Sequence, residues 1–334
     1  MTLLQLRYLI AIADSGLNIT LAAERVHATQ PGLSKQLKLL EDELGFQLFT
    51  RKGKSLDSIT HAGGQVLERA RTILAEALNI RSIAANMRNE QRGELRIATT
   101  HTQARFALPG TIAALSRLYP QLSVHLQPAD DSEVLAQLEN GRVEVAIVST
   151  AGAPPAIGVA LPAYRWNRVV LVPRTHPLAM LQRAPTLQEL ATLPLISYDS
   201  SLKPESSLRR AFEAQGLHPQ IIMTAGDADL IKTYVRAGMG VGVLAEMAVQ
   251  ANDTNDLHVL AADHLLPRCT TWLVLRREGV LREFTMEFIT RFIPHLGRRT
   301  IDRALGSGAR DHPWPEAPPW STWLAHSQES LDSL

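Results

Sequence analysis

Leu33, Leu37, Leu40 and Leu44 recur at spacings of four, three and four, which marks one buried stripe of a helix with 3.6 residues per turn. At about 100° per residue, Pro31, Ser34, Lys35 and Lys38 fall on roughly the opposite side. A shorter apolar face, Leu21, Ala22, Ala23 and Val26, precedes it, and its two alanines permit close approach of another helix. Asn18 or Thr20 can cap that first helix and Thr29 the second, because a short side-chain oxygen accepts from a free N–H of the first turn. Pro31 suits the opening turn of the second helix and Gly45 its end. Leu3, Leu6, Leu9 or Ile10, and Ala13 predict an earlier amphipathic helix up to about Asp14. Phe46 to Ile59 reads as a two-stranded wing turning at Lys52-Gly53-Lys54.

From about Thr60 to Glu90 the pattern is one long helix. Val66, Ile73, Ile80 and Met87 recur every seven residues, and Ala70, Ala77 and Ala84 keep step with them. A sustained heptad indicates helix-on-helix packing, either between two copies of the chain or against its own domain, and dimerisation is the favoured expectation. Arg92-Gly93 breaks this helix. Short apolar strands then alternate with helices, with strands at Leu95–Thr99, Leu122–Gln127 and Val145–Val148 and helices at about 104–119 and 133–138. This βαβ pattern predicts a mainly parallel sheet covered by helices. The alternation runs on through residues 168–292, too far for one sheet, so two lobes are expected. Strands near Ala160–Tyr164 and Leu265–Thr270 are the expected crossings. The fold class is therefore α/β with an N-terminal all-α winged helix-turn-helix. The expected domains are 1–59 (helix-turn-helix and wing), 60–92 (linker and dimerisation helix) and 93–300 (two lobes). Lobe I takes 93–163 and 269–300, and lobe II takes 164–268. Residues 301–334 lose all clear periodicity and are expected to form a flexible tail, although their tryptophans have the means to dock.

Composition narrows the function. The chain has 334 residues, 45% of them hydrophobic, and a net charge of only +1, so nucleic-acid binding must come from a local basic patch. Arg51-Lys52-Gly53-Lys54, just after the paired helices, is such a patch. The single cysteine, Cys269, excludes an internal disulfide, and neither a secretion signal nor a membrane-spanning run is recognisable, so a soluble cytoplasmic protein is expected.

The outward face of the second helix suits DNA. Thr29, Gln30, Pro31, Ser34, Lys35 and Lys38 are its candidate reading residues, with Arg51 and Lys54 of the wing on phosphates or the minor groove. A second candidate site is Thr99-Thr100-His101-Thr102-Gln103, which joins a strand end to a helix start, where open α/β folds bind ligands. Thr100, Thr102 and Gln103 offer neutral donors to a small anion or an amino-acid-like molecule, unless they only cap the helix. Ser149-Thr150, the Trp166 region and Lys203 should approach the same cleft. Gly238-Met239-Gly240-Val241-Gly242 follows a helix and leads into a strand, the reverse of the dinucleotide order, and reads as a helix stop with tight packing. No zinc spacing, nucleophile elbow or triad appears, so neither an enzyme nor a bound cofactor is expected.

Ala22-Ala23, Gln30-Pro31, Ser34 and Leu40-Glu41 through Leu48-Phe49-Arg51 resemble the N-terminal pattern of the LysR-type transcriptional regulators. IATTHTQARFALPG at Ile97–Gly110, RWNR at Arg165–Arg168 and DADLIKTYVRAGMGVGV at Asp227–Val243 are similar to the CysB-like subgroup, which governs cysteine and sulfonate genes. The resemblance covers about residues 1–296. It implies a two-lobed effector domain of periplasmic-binding-protein type and a homotetramer that binds promoter double-stranded DNA and meets RNA polymerase. It also implies an anion pocket at Thr100, Thr102, Gln103 and Trp166. Ser149 stands where that pocket has a threonine, and Lys203 aligns with another threonine inside a replaced loop, DSSLKPES. The implied effectors are sulfate, N-acetylserine, O-acetylserine or adenylyl sulfate. A regulator of an unrelated pathway is the alternative within the family, and a solute-binding protein or an enzyme is the alternative outside it.

Overall fold

The computed structural model describes the chain apart from Lys54, Gln182, Glu278, residues 307–313 and 333–334, and the side chains of 328–332. It divides into two compact units, Met1–Asn89 and Glu90–Leu334.

The first unit opens with α1 (Leu3–Asp14), α2 (Ile19–Arg25) and α3 (Gln30–Leu44). Asn18 caps α2 by accepting from Leu21 N–H at 3.0 Å, and Thr29 caps α3 by accepting from Gly32 N–H at 3.3 Å. Gly45 ends α3 with φ of 79°, a left-handed conformation glycine adopts without strain. Leu33, Leu37 and Leu40 are buried against Leu6, Leu9, Ile12 and the alanines of α2. The wing, β1 (Phe49–Lys52) and β2 (Ser55–Ile59), is an antiparallel pair. The buried Glu41 carboxylate ties it to α3, accepting from Leu48 N–H at 2.9 Å and from the Arg51 guanidinium at 2.9 Å. Then comes α4 (His61–Met87), whose first turns pack through Leu67 and Ala70. At Gly63 an added Cβ would lie 2.0 Å from Leu48 O, so only glycine allows this approach. Farther along, Ile73, Ile80 and Met87 of the heptad are exposed, Met87 at 82%.

The second unit begins with β3 (Gly93–Thr99), α5 (His101–Phe106) and α6 (Leu108–Leu118). One helix over 104–119 was expected. It is broken because Pro109 has no N–H for the Arg105 carbonyl and its ring would clash there. Next come β4 (Leu122–Pro128), α7 (Asp131–Glu139), β5 (Val145–Thr150), β6 (Val159–Trp166) and β7 (Arg168–Pro173). After them lie α8 (Leu187–Ala191), β8 (Pro194–Tyr198), α9 (Ser207–Glu213), β9 (Gln220–Ala225), α10 (Ala228–Arg236), β10 (Val241–Ala245) and β11 (Leu257–Ala261). The chain ends with β12 (Cys269–Leu275), α11 (Glu283–Phe292), α12 (Arg298–Leu305) and α13 (Trp320–Asp332).

The strands form two five-stranded sheets, ordered β4-β3-β5-β12-β6 and β11-β7-β10-β8-β9. Both are mixed rather than mainly parallel. The βαβ strands β3, β4 and β5, and likewise β8, β9 and β10, pair in parallel. The strands next to the crossings (β6, β7, β11 and β12) pair antiparallel, because they enter their sheets without a helical crossover. Only Asn167 separates β6 from β7, so the chain passes between lobes after Trp166 rather than at Ala160–Tyr164. The glycine-rich stretch does stop α10, with Gly238 at φ of 75°. At Gly240 a Cβ would lie 2.4 Å from Pro194 O, so this glycine serves close packing. In lobe II, the buried Lys232 pairs with Asp253 at 2.8 Å. No described helix is long and apolar enough to cross a membrane.

The flexible-tail expectation is corrected for the described residues. Ile301, Ala304 and Leu305, at i, i+3 and i+4, bury one face of α12. Trp323 on α13 is 1% exposed and donates its indole N–H to Phe292 O at 2.7 Å. Its ring lies 4.6 Å from that of Tyr164 and 5.4 Å from that of Phe292, and Trp320 stacks beside it at 5.0 Å. The chain leading into α13 also adds a backbone bond, from Arg165 N–H to Pro318 O at 2.8 Å. Pro and Ser in the sequence masked the short tryptophan-anchored face. Trp323→Ala is expected to destabilise this unit by about 3–5 kcal/mol, the cost of a large aromatic cavity. Urea unfolding followed by circular dichroism measures it, and a loosely attached tail would give almost no change.

Candidate functional site

In the first unit, the stripe that buries Leu33, Leu37 and Leu40 turns the other side of α3 outward. Gln30, Pro31, Lys35 and Lys38 are exposed there, and Ser34 is half-buried. Gln30 Nε2 donates to Ser34 Oγ at 3.4 Å, one turn away, which holds the amide along the face. Thr29 is spent on its cap. Arg51 is only partly available, since its guanidinium is paired with Glu41. Lys54 lies outside the described residues. The pair α2–α3 with a wing is an arrangement that lays its second helix into the major groove.

In the second unit, the C-terminal end of β3 delivers Thr100, Thr102 and Gln103. Thr100 precedes α5 but makes no side-chain capping bond, so its hydroxyl is not spent on the helix. With six residues, α5 has too little length for its dipole to dominate, and the hydroxyls carry the polarity. Gln103 is buried, and Tyr164 Oη donates to its Oε1. Its Nε2 donates to Ser149 Oγ at 3.3 Å and to Thr271 Oγ1 at 3.2 Å. Trp166 Nε1 donates to the same two hydroxyls, at 3.3 Å and 3.1 Å. The two hydroxyls lie 3.0 Å apart. Thr271 is fully buried and Ser149 is half-buried, so Ser149 is the hydroxyl of the pair that a ligand can reach.

Thr102 Oγ1 donates to Tyr198 Oη of lobe II at 3.3 Å, and Arg105 of α5 pairs with Asp229 of α10. Lys203 reaches across from lobe II to Ser132 Oγ at 3.5 Å and to Asp130 at 3.9 Å. Its amine is part-exposed and sits on α7, with no described contact to Thr100, Thr102 or Ser149. Burial pushes the Tyr164 and Tyr198 hydroxyls upward, so both stay protonated. The sequence reading missed Thr271, Tyr164 and Tyr198. Each lies on a strand whose apolar run looks like plain core, and only the topology brings it beside Gln103 or Thr102. Among the described residues no acidic, histidine or cysteine group is arranged to hold a metal ion.

A helix-turn-helix reader joined to a two-lobed ligand domain is the plan of a ligand-responsive transcription regulator. Residues 3–64 match the bacterial regulatory helix-turn-helix protein, lysR family, and residues 88–297 match the LysR substrate binding domain, so the chain belongs to the LysR family. These are non-enzymatic, DNA-binding regulators, and DNA is bound through the helix-turn-helix. The chain is 42% identical over 300 residues to the HTH-type transcriptional regulator CysB of Haemophilus influenzae, covering 90% of this chain and 92% of that one. It is 36% identical over 297 residues to SsuR of Burkholderia cenocepacia, covering 89% and 96%. The crystal structure of the cofactor-binding domain of the Cbl transcriptional regulator superposes with a TM-score of 0.61 at 34% identity, covering 66% of this chain and 96% of that domain.

Tyr164→Phe keeps the ring packing and leaves Gln103 Oε1 buried without its donor. A loss of about 1–3 kcal/mol in unfolding free energy is expected, the cost of an unsatisfied buried acceptor. Chemical denaturation measures it, and an unchanged midpoint would remove Tyr164 from the hydroxyl network.

Proposed function

We propose that this LysR-family protein regulates genes of sulfur assimilation or sulfonate use, and that a small sulfur-related effector binds between its two lobes. The observation that supports this reading is the network in which Gln103 and Trp166 donate to the Ser149 and Thr271 hydroxyls, with Thr100 and Thr102 on the same strand-end segment as Gln103. Neutral, pre-ordered hydroxyls suit an oxyanion, because a partly buried charge must be well hydrogen-bonded. Similarity to CysB, SsuR and Cbl supports the sulfur assignment. Sulfate, N-acetylserine, O-acetylserine and adenylyl sulfate are the candidate effectors. A second reading, an effector from another pathway, draws on the Asp199–Ser206 loop, where Lys203 faces Asp130 rather than the hydroxyls.

In the same proposal, Gln30, Ser34, Lys35 and Lys38 read promoter DNA, two copies pair through α4, and the dimers assemble into a cytoplasmic tetramer that meets RNA polymerase. The exposed heptad residues Ile73, Ile80 and Met87 support the pairing. Footprinting upstream of the chain's own gene and of neighbouring sulfur genes, with each candidate effector present and absent, tests the whole reading. Protection that shifts with a sulfur compound supports it, and protection indifferent to all of them sinks the sulfur assignment.

Lys35→Ala and Gln30→Ala are each expected to cost about 1–3 kcal/mol in operator binding, the worth of a good base contact. Titration of labelled operator DNA measures this, and unchanged affinity in both would move the reading face elsewhere. Ala77→Glu sets a charge in the α4 seam and is expected to convert dimer-based assemblies to smaller species in sedimentation. An unchanged assembly would show that the heptad is no interface.

A further inference from the structure

The cleft also contains an acid. Asp131, the first residue of α7, is half-buried as a residue, and its carboxyl is desolvated. Among the described residues its one hydrogen-bond donor is Ser149 N–H, at 3.5 Å. That serine carries the hydroxyl a ligand can reach, so the carboxyl stands beside the hydroxyl pair of the cleft. No described cation lies within ion-pair distance of it. Lys203, the nearest, pairs with Asp130 and Ser132 instead. The hydroxyl pair has Gln103 and Trp166 as donors, whereas the carboxyl beside it has one donor only among the described residues.

A zwitterion fits this arrangement better than a bare anion, because the carboxylate repels an anion at close range. Desolvation raises the Asp131 carboxyl to about 6, against the opposing pull of Ser149 N–H and Lys203, as expected of an acid lacking a full partner. A ligand that carries its own ammonium supplies that partner. Resting on the reading of the cleft as the effector site, we propose that Asp131 is an ammonium subsite and that the effector is a small zwitterion. Its carboxylate or sulfonate takes the Thr100 and Ser149 hydroxyls, and its primary ammonium takes Asp131. Asp131 thereby selects aminated ligands over their hydroxyl or acylated counterparts.

Taurine and isethionate make the matched pair, since both are two-carbon sulfonates and differ only in ammonium against hydroxyl. Calorimetry on the full chain, with sulfate as a third probe, is expected to show taurine bound at least about tenfold tighter than isethionate, the equivalent of one pKa unit relieved at the carboxyl. In Asp131→Asn that ratio is expected to fall to near one, with isethionate and sulfate binding tighter than before. Asp131→Ser, which also suits the start of a helix, is expected to behave the same way. Isethionate or sulfate bound as tightly as taurine by the wild type would overturn the ammonium subsite while leaving the cleft as an anion site. A taurine preference that survives both substitutions would likewise overturn it. Failure of all three probes to bind the wild type would overturn this inference together with the reading of the cleft on which it rests.

Discussion

A buried primary amide has two hydrogens and one oxygen to satisfy, and the cleft is built around meeting that demand at Gln103. Its oxygen takes the Tyr164 hydroxyl, and its nitrogen serves Ser149 and Thr271. Those partners come from β5, β6 and β12, three strands distant in sequence. Satisfying one side chain therefore fixes the register of half a sheet and the directions of two hydroxyls at once. Fully satisfied polar networks of this kind are rigid, and partly satisfied ones are costly. A ligand group that meets Ser149 meets a hydroxyl already aimed, with little ordering left to do on binding.

The lobes are joined differently. Between them lie a tyrosine–threonine hydrogen bond, a surface pair between Arg105 and Asp229, the reach of Lys203 to α7, and apolar packing of Phe106 on lobe II and of Ala245 and Met247 on lobe I. Exposed ion pairs are worth little each. The side of the cleft carried by lobe I is thus held by buried amide and indole donors, and its closure onto lobe II by apolar packing beside α5 with a few polar contacts around it. Such a division suits a domain whose two halves respond to what lies between them.

The helix-turn-helix was legible because its signals are local: a leucine stripe, a threonine cap with proline in the first turn, and a glycine stop. The strand-end position of Thr100, Thr102 and Gln103 was legible for the same reason. The antiparallel partners were not, since β6 and β12 carry apolar runs that read alike in either direction. Thr271 and Tyr164 matter only through pairing across more than a hundred residues in one case and about sixty in the other, as their bonds to Gln103 show. No local period encodes such pairing. The C-terminal helix was missed for a different reason. Its anchor is two tryptophans three residues apart, too short a pattern to stand out among prolines and serines.

That helix has a consequence for how the first lobe holds together. Tyr164, Phe292, Trp320 and Trp323 form a single aromatic cluster, and the last two are supplied by α13. The strand that carries Tyr164 therefore has its hydroxyl tied into the cleft network and its ring clamped by a helix remote in sequence, so the cleft and α13 share one anchor.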